Sequence, residues 1–137
     1  MFDELRKYKK NGHFFFKKGD RLSVVSNDVP ELPGVYYFIR LAKGKVDLIY
    51  IGKSGTIHPD GSLKNQLLKG HLNNKQEGIL RQEFFEKKMH EENIDALDIY
   101  WFVTMDKMNN DLPGYVEGLL LQRHYEIYGR LPEWNKE

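Results

Sequence analysis

The chain has 137 residues, no cysteine and a formal net charge of +1. That length fits one domain able to bury a core unaided, the lack of thiols excludes disulfides and thiolate metal sites, and the near balance of charge argues against holding nucleic acid by bulk electrostatics. Charged residues fill Met1 to Lys7, where a leader needs an apolar run, and no stretch approaches the ~20 apolar residues of a membrane span, so a soluble, cytoplasmic protein is expected.

Residues 1 to 21 carry seven basic side chains against three acidic ones, a local excess of +4. This basic arm reads either as a solvated helix with a polar turn or as a segment that tracks phosphates. Residues 2 to 10 are predicted to form a short helix stopped at Asn11-Gly12, since both residues tolerate left-handed dihedrals. His13 to Phe16 and Leu22 to Ser26 read as short extended pieces, and Pro30 and Pro33 break the chain before the first strong strand. No internal repeat, low-complexity tract or long linker divides the chain. Residues 1–31 are therefore read as an N-terminal helical and extended extension, packed on the domain that 32–137 form.

Val35 to Leu41 and Val46 to Ile51 are rich in β-branched and aromatic residues and flank Ala42-Lys43-Gly44-Lys45, which predicts a hairpin. A two-residue Lys43-Gly44 loop would set Tyr36 opposite Ile51 and Arg40 opposite Asp47. A three-residue loop, with Gly44 left-handed in a bulge, would set Tyr36 opposite Tyr50 on one face. The second register is preferred, because an exposed Arg-Asp pair is worth at most ~1 kcal/mol.

Two helices are expected next. One runs from Ser62, a good N-cap, to Asn73, with Leu63, Leu67, Leu68 and Leu72 on its apolar face; the other runs from Gly78 to Glu92, with Leu80, Phe84, Phe85 and Met89 turned to the core. Leu97 to Met105 alternates apolar and polar residues as a third strand does. The last helix should begin after Asp111, capped by that carboxylate, tolerate Pro113 near its start and end at Gly129. Its buried stripe would be Val116, Leu119, Leu120, Arg123 and Ile127, with Glu117 at the edge. A carboxylate there is either a solvated boundary residue or a metal ligand turned into a cleft.

The triplets Gly34-Val35-Tyr36 and Tyr50-Ile51-Gly52 on consecutive strands, followed by Glu117 on a late helix and a terminal Trp134-Asn135, resemble a GIY-YIG nuclease domain over roughly Leu32 to Asn135. The resemblance implies an α+β fold with a small three-stranded antiparallel sheet flanked by helices. It also implies a metal-dependent endonuclease acting on duplex or branched DNA, with Mg²⁺ or Mn²⁺ as cofactor. In such enzymes both tyrosines, a basic residue on the first helix, a glutamate and a C-terminal asparagine surround the scissile phosphate. By position these are Tyr36, Tyr50, Glu117 and Asn135, with Lys53 following the second triplet and Gly52 allowing close backbone approach to substrate.

Phosphodiester hydrolysis needs an activated water, charge neutralisation and leaving-group stabilisation. One carboxylate plus waters suits Mg²⁺, and that ligand would be Glu117. A tyrosine ionises near pH ~10, so Tyr50 as base requires nearby positive charge. Tyr36 would orient water or phosphate, and Asn135 would fix Glu117 or a phosphate oxygen. The first predicted helix lacks the family's arginine. Aligned by its leucines, it offers His71 in that place, with Lys69 and Gln66 as competitors; a protonated histidine can donate to phosphate but is a weaker fixed cation. Ser54 to Gly61 is an insertion, either a plain surface loop or a substrate contact. Gly52-Lys53-Ser54 resembles the end of a phosphate-binding loop, but the glycine required at position 47 is Asp47. The five histidines show no zinc-like spacing. The alternative to an active nuclease is a catalytically weak relative that binds nucleic acid or protein.

Overall fold

The computed structural model describes residues 2–55, 57–62 and 67–136. Its strands are β1 (Asn11–Lys17), β2 (Gly34–Ala42), β3 (Lys45–Ser54), the short β4 (Lys75–Gln76) and β5 (Ile79–Leu80), and β6 (Ala96–Val103). Its helices are α1 (Leu22–Val25), α2 (Leu68–Leu72), α3 (Arg81–Glu91) and α4 (Pro113–Tyr128). The class is α+β, as expected, but the sheet has four antiparallel strands in the order β1-β6-β2-β3, and β4 and β5 form a separate hairpin.

The additional strand comes from the N-terminal extension. Asn11-Gly12 does not stop a helix; it opens β1, which pairs along β6 from Asn11↔Phe102 to Lys17↔Ala96. Only Asp3–Leu5 makes a helical turn, of the 3-10 type. Alternation explains the choice, because Phe14 and Phe16 turn toward the core while His13 and Phe15 face outward, a period of two that a helix cannot satisfy. Leu22–Val25, expected to be extended, is one helical turn instead. The turn buries Leu22 while Gln82 of α3 accepts its amide at 2.6 Å, a tertiary contact that outweighs the β-propensity of the two valines.

The hairpin uses the two-residue loop. Ala42 pairs with Lys45 and Arg40 with Asp47, and Lys43 and Gly44 both have positive φ, 52° and 73°. These are the dihedrals of the turn whose twist matches paired strands. The register then shifts between Phe38 and Ile39, so Phe38 faces Tyr50 and Tyr36 faces Gly52. The expected opposition of Tyr36 and Tyr50 is therefore wrong. A bulge at Ile49, invisible in the loop sequence, moves the pairing the other way, yet both tyrosines still share a face, with ring centres 6.2 Å apart.

Further departures are local. Ser62 gives its amide and hydroxyl to Asp60 (2.9 and 2.6 Å) and caps no described helix, and residues 63–66 of the expected helix, with Leu63 and Gln66, lie outside the described residues. Gly78 sits in the β4-β5 turn with φ 85°, so α3 starts only at Arg81 and Leu80 is 49% exposed instead of buried. The third predicted strand stops at Val103, and Met105 makes an isolated bridge to Asn110. α4 ends as expected at a left-handed Gly129, but Asp111 does not cap it: its carboxylate accepts the Tyr8 hydroxyl at 2.5 Å and pairs with Lys7 at 2.7 Å. Its buried stripe is Val116, Leu120 and His124; the stripe ends where His124 Nδ1 meets the Arg130 carbonyl at 2.8 Å, leaving Ile127 66% exposed.

The sheet is covered on both faces. On one, Tyr36, Phe38 and Ile99 meet Leu68 and Leu72 of α2, Phe84 and Phe85 of α3, and Trp134. On the other, Val35, Tyr37 and Ile51 meet Val116 and Leu120 of α4, with Phe2, Leu5 and Tyr8 of the extension. The C-terminal tail closes the exposed edge of β3, which removes an unpaired strand edge. Among the described residues, no helix is long and apolar enough to cross a membrane.

Candidate functional site

At the β3 edge the two covering layers converge on a cleft of about 420 Å³. Tyr50 comes from β3, His71 from α2, Arg81 from the first position of α3 and Glu117 from α4. The β4-β5 hairpin and the tail residues Trp134 to Lys136 form the remaining wall.

Tyr36 lies beneath the cleft and is fully buried. Its ring crosses the backbone of Gly52, where any Cβ would come within 2.6 Å of the ring. Gly52 therefore makes room for Tyr36, and the close approach it permits is by this side chain. Desolvation dominates the phenol and pushes its pKa up to about 12, against the opposing pull of Arg81.

A polar chain runs from this tyrosine. Arg81 Nη1 donates to Tyr36 Oη at 3.0 Å, and Tyr36 Oη lies 2.7 Å from His71 Nδ1. An arginine can only donate, so the tyrosine oxygen accepts from Arg81, and the buried hydroxyl's own proton finds its acceptor among the described residues in His71 Nδ1. The imidazole is then neutral and carries its proton on Nε2. Burial, and the repulsion of Arg81 and Lys53, keep the ring neutral by lowering the His71 pKa to about 4. The cation expected at His71 is thus missing at neutral pH.

Arg81, which sequence reasoning passed over, supplies the charge. It is 1% exposed, and its guanidinium lies 5.4 Å from the Tyr36 ring centre, 5.3 Å from Phe38 and 5.5 Å from Tyr50. The available signal was an arginine at the amphipathic boundary of the second predicted helix, indistinguishable there from a solvated charge.

Glu117 faces the cleft, and burial raises its carboxyl pKa, partly offset by Lys53. No hydrogen bond or ion pair within 4.0 Å joins its carboxylate to another described residue, so its oxygens are available to a hard cation. Among the described residues no group of three or more His, Asp or Glu side chains could hold a metal ion, so any ion here would rest on this one carboxylate and water.

Asn135 does different work from that expected. Its Oδ1 accepts the Ile51 amide at 2.9 Å and its Nδ2 donates to the Ile51 carbonyl at 2.8 Å. The side chain thus acts as one more residue of strand paired to β3, and neither atom bonds Glu117. Lys69 points away as well, with its ammonium 3.3 Å from Asn27 Oδ1, and no described residue of the 54–61 insertion lines the cleft. Lys53 stands beside Gly114 and is close enough to influence both Glu117 and His71. No family model, curated protein or solved structure matches the chain.

Proposed function

We propose that the protein is a GIY-YIG-type, metal-dependent DNA endonuclease whose reaction centre is the cleft at the β3 edge. The observation that carries this reading is the convergence of Tyr50, His71, Arg81 and Glu117, from four separate elements, on one cleft. A phenol, a neutral imidazole, a guanidinium and an unpaired carboxylate together offer a base, hydrogen-bond donors to phosphoryl oxygens and one hard ligand.

Tyr50 is the base in this reading. Tyr36 is committed as donor to His71 and buried away from the cleft, whereas Tyr50 opens into it with the Arg81 guanidinium 5.5 Å from its ring centre. His71 lines the cleft and offers a neutral Nε2–H to a phosphoryl oxygen, and Lys53 adds positive charge near the carboxylate. The half-buried oxygens of Glu117, without a partner among the described residues, fit a single Mg²⁺ or Mn²⁺ that keeps most of its waters. When bound, such an ion would supply charge neutralisation at the scissile phosphate and its leaving oxygen.

The test is cleavage of supercoiled plasmid and of branched DNA with Mg²⁺ or Mn²⁺ by the full chain, by Tyr50→Phe and by Glu117→Ala. Metal-dependent nicking that drops about 100-fold or more in both variants is expected. Absence of cutting by the wild type across both metals and substrates would overturn the reading. A weak, binding-only relative is the second reading, and the neutral His71 favours it, because the cation of the first helix is lost. Binding of the same DNA without cutting would select it.

A further inference from the structure

The tail closes the β3 edge of the sheet, but at the opposite edge β1 has no outer neighbour among the described residues. Backbone groups along an antiparallel strand point alternately to one side and to the other. The Lys10 carbonyl accepts the Val103 amide of β6 at 3.0 Å. In the observed register, Gly12, Phe14 and Phe16 therefore turn their amides and carbonyls to β6, and His13, Phe15 and Lys17 turn theirs away. Lys17 spends its outward pair on Asp20: its amide donates to that carboxylate at 2.8 Å and its carbonyl accepts the Asp20 amide at 2.9 Å. The outward amides and carbonyls of His13 and Phe15 have no partner among the described residues. Solvent reaches both residues, since Phe15 is 43% exposed and the His13 side chain 45%.

The side chains beside these groups are held in place. His13 Nδ1 donates to the buried Asp98 carboxylate at 2.8 Å, and the imidazole lies on the Tyr100 ring, 4.6 Å between centres and 9° from parallel. Tyr100 lies in turn on Tyr37 at 5.0 Å, so the stack ends at His13 on the open edge, with the Phe15 ring 5.7 Å away. Lys9 and Lys10 precede the strand and Lys17 and Lys18 follow these rings, and none of them has a carboxylate of a described residue within 4.0 Å.

We propose that the β1 edge is a docking site for an extended acidic peptide, which adds to the sheet through the free amides and carbonyls of His13 and Phe15 and sets an apolar side chain beside their rings. The edge offers carbonyl acceptors as well as amide donors, which suits a peptide; a phosphodiester backbone has acceptors only. A second copy is disfavoured by charge. Antiparallel self-pairing about His13 sets Lys17 against Lys9 of the copy, and self-pairing about Phe14 sets Lys18 against its Lys10, and like charges directly opposite destabilise a strand pair. Acidic ends on the added strand meet the same lysines favourably. Asp98 and Tyr100 fix the imidazole before the peptide arrives, which reduces the ordering that binding costs. The site lies at the far edge of the sheet from the β3 cleft and stands without the nuclease reading.

A blocked peptide with a Val-Phe-Val centre between Glu-Glu ends, titrated into the full chain, should shift the ¹H–¹⁵N signals of the His13 and Phe15 amides saturably and slow their hydrogen exchange. Phe15→Pro removes the outward N–H but no bond to β6, and Phe15→Ala removes the same ring but keeps the N–H. The proline variant should bind at least about threefold more weakly than the alanine variant. Lys17→Glu combined with Lys18→Glu should weaken binding by about fivefold or more. No saturable shift at His13 and Phe15, or equal binding by the two Phe15 variants, overturns strand addition. Equal affinity for the same peptide with Lys-Lys ends overturns the acidic partner. The proposal also falls if oligothymidylate shifts these signals at lower concentration than the peptide does, which gives the edge to nucleic acid. It falls equally if the free protein protects both amides in a concentration-dependent way, which gives the edge to a second copy. If Phe15→Pro does not fold, the wild-type amide signals and the lysine reversals decide.

Discussion

At the scale of single residues, the hydroxyl of Tyr36 holds two partners in place at once. Replacing Tyr36 with Phe keeps the ring over Gly52 but leaves an Arg81 N–H without its 3.0 Å acceptor and His71 Nδ1 without its donor. Tyr36→Phe should therefore lower unfolding stability by about 1–3 kcal/mol, read as a lower urea midpoint at unchanged m-value. The same chain sets a pH dependence. The folded pKa of His71, about 4, lies below the ordinary value of 6.5, so the folded state binds fewer protons than the unfolded one between those limits. Its contribution is complete above pH 6.5, declines as pH falls through the window and is gone below pH 4. Because the ring is partly open to solvent, the loss should amount to about 1–2 kcal/mol, below the full linkage value. Urea unfolding at stepped pH should show this decline, and His71→Asn, which keeps an acceptor but does not titrate, should flatten it.

At the scale of elements, the hairpin shows where sequence reasoning holds and where it fails. Its strands were legible, because β-branched and aromatic runs flank a turn segment; the preferred three-residue loop was not the one formed, and the tyrosines share a face only because the bulge at Ile49 offsets that error. The pairing partner of Tyr36 was not legible, because the bulge at Ile49 is stabilised from afar: the Ile49 carbonyl accepts the Trp134 amide at 2.8 Å. The helix predicted over residues 2 to 10 failed for a related reason, since β1 gains its partners from β6, some 85 residues downstream. The turn itself permits a clean test. Lys43 holds φ 52°, a conformation that costs a lysine more than an asparagine, and Gly44 follows at 73°. Lys43→Asn creates the Asn-Gly pair that this turn favours and should stabilise the protein by about 0.5–1 kcal/mol, raising Tm by roughly 2–5 °C. A loss of stability would mean that the three-residue loop is the one formed.

At the scale of the whole molecule, the cleft exists only because the chain's last residues return to the edge of its third strand. Tyr50 and Glu117, which the structure brings to one cleft, and Tyr36 beneath it sit on strongly patterned elements and could be picked out from their order along the chain. Arg81 could not, since nothing local distinguishes an arginine beneath three rings from one in solvent, and the bonds of Asn135 to the Ile51 backbone could not be foreseen, since a sequence does not show which atoms a side chain spends on its own fold. Tail closure rests on links that include Glu133 to Arg40 at 2.9 Å, the Trp134 amide to Ile49, the Trp134 ring against Phe38, Phe84 and Phe85, Trp134 Nε1 to Glu92, Lys136 to Glu77, and the paired hydrogen bonds of Asn135 to Ile51. The first is half exposed and worth little, and the Trp134 amide bond survives any side-chain change. Asn135 is a link that substitution can remove without opening a hole in the aromatic core around Trp134. Asn135→Ala removes both bonds from the Ile51 backbone and should cost about 1–3 kcal/mol, seen as a lower urea midpoint in protein free of metal and DNA. Asn135→Asp keeps an acceptor for the Ile51 amide but sets a carboxylate oxygen against the Ile51 carbonyl, so it should be no more stable than the alanine variant. A residue that served only to hold phosphate or to orient Glu117 would leave metal-free stability unchanged in both variants. That result would return Asn135 to the reaction centre and leave the closure of the tail to its other links.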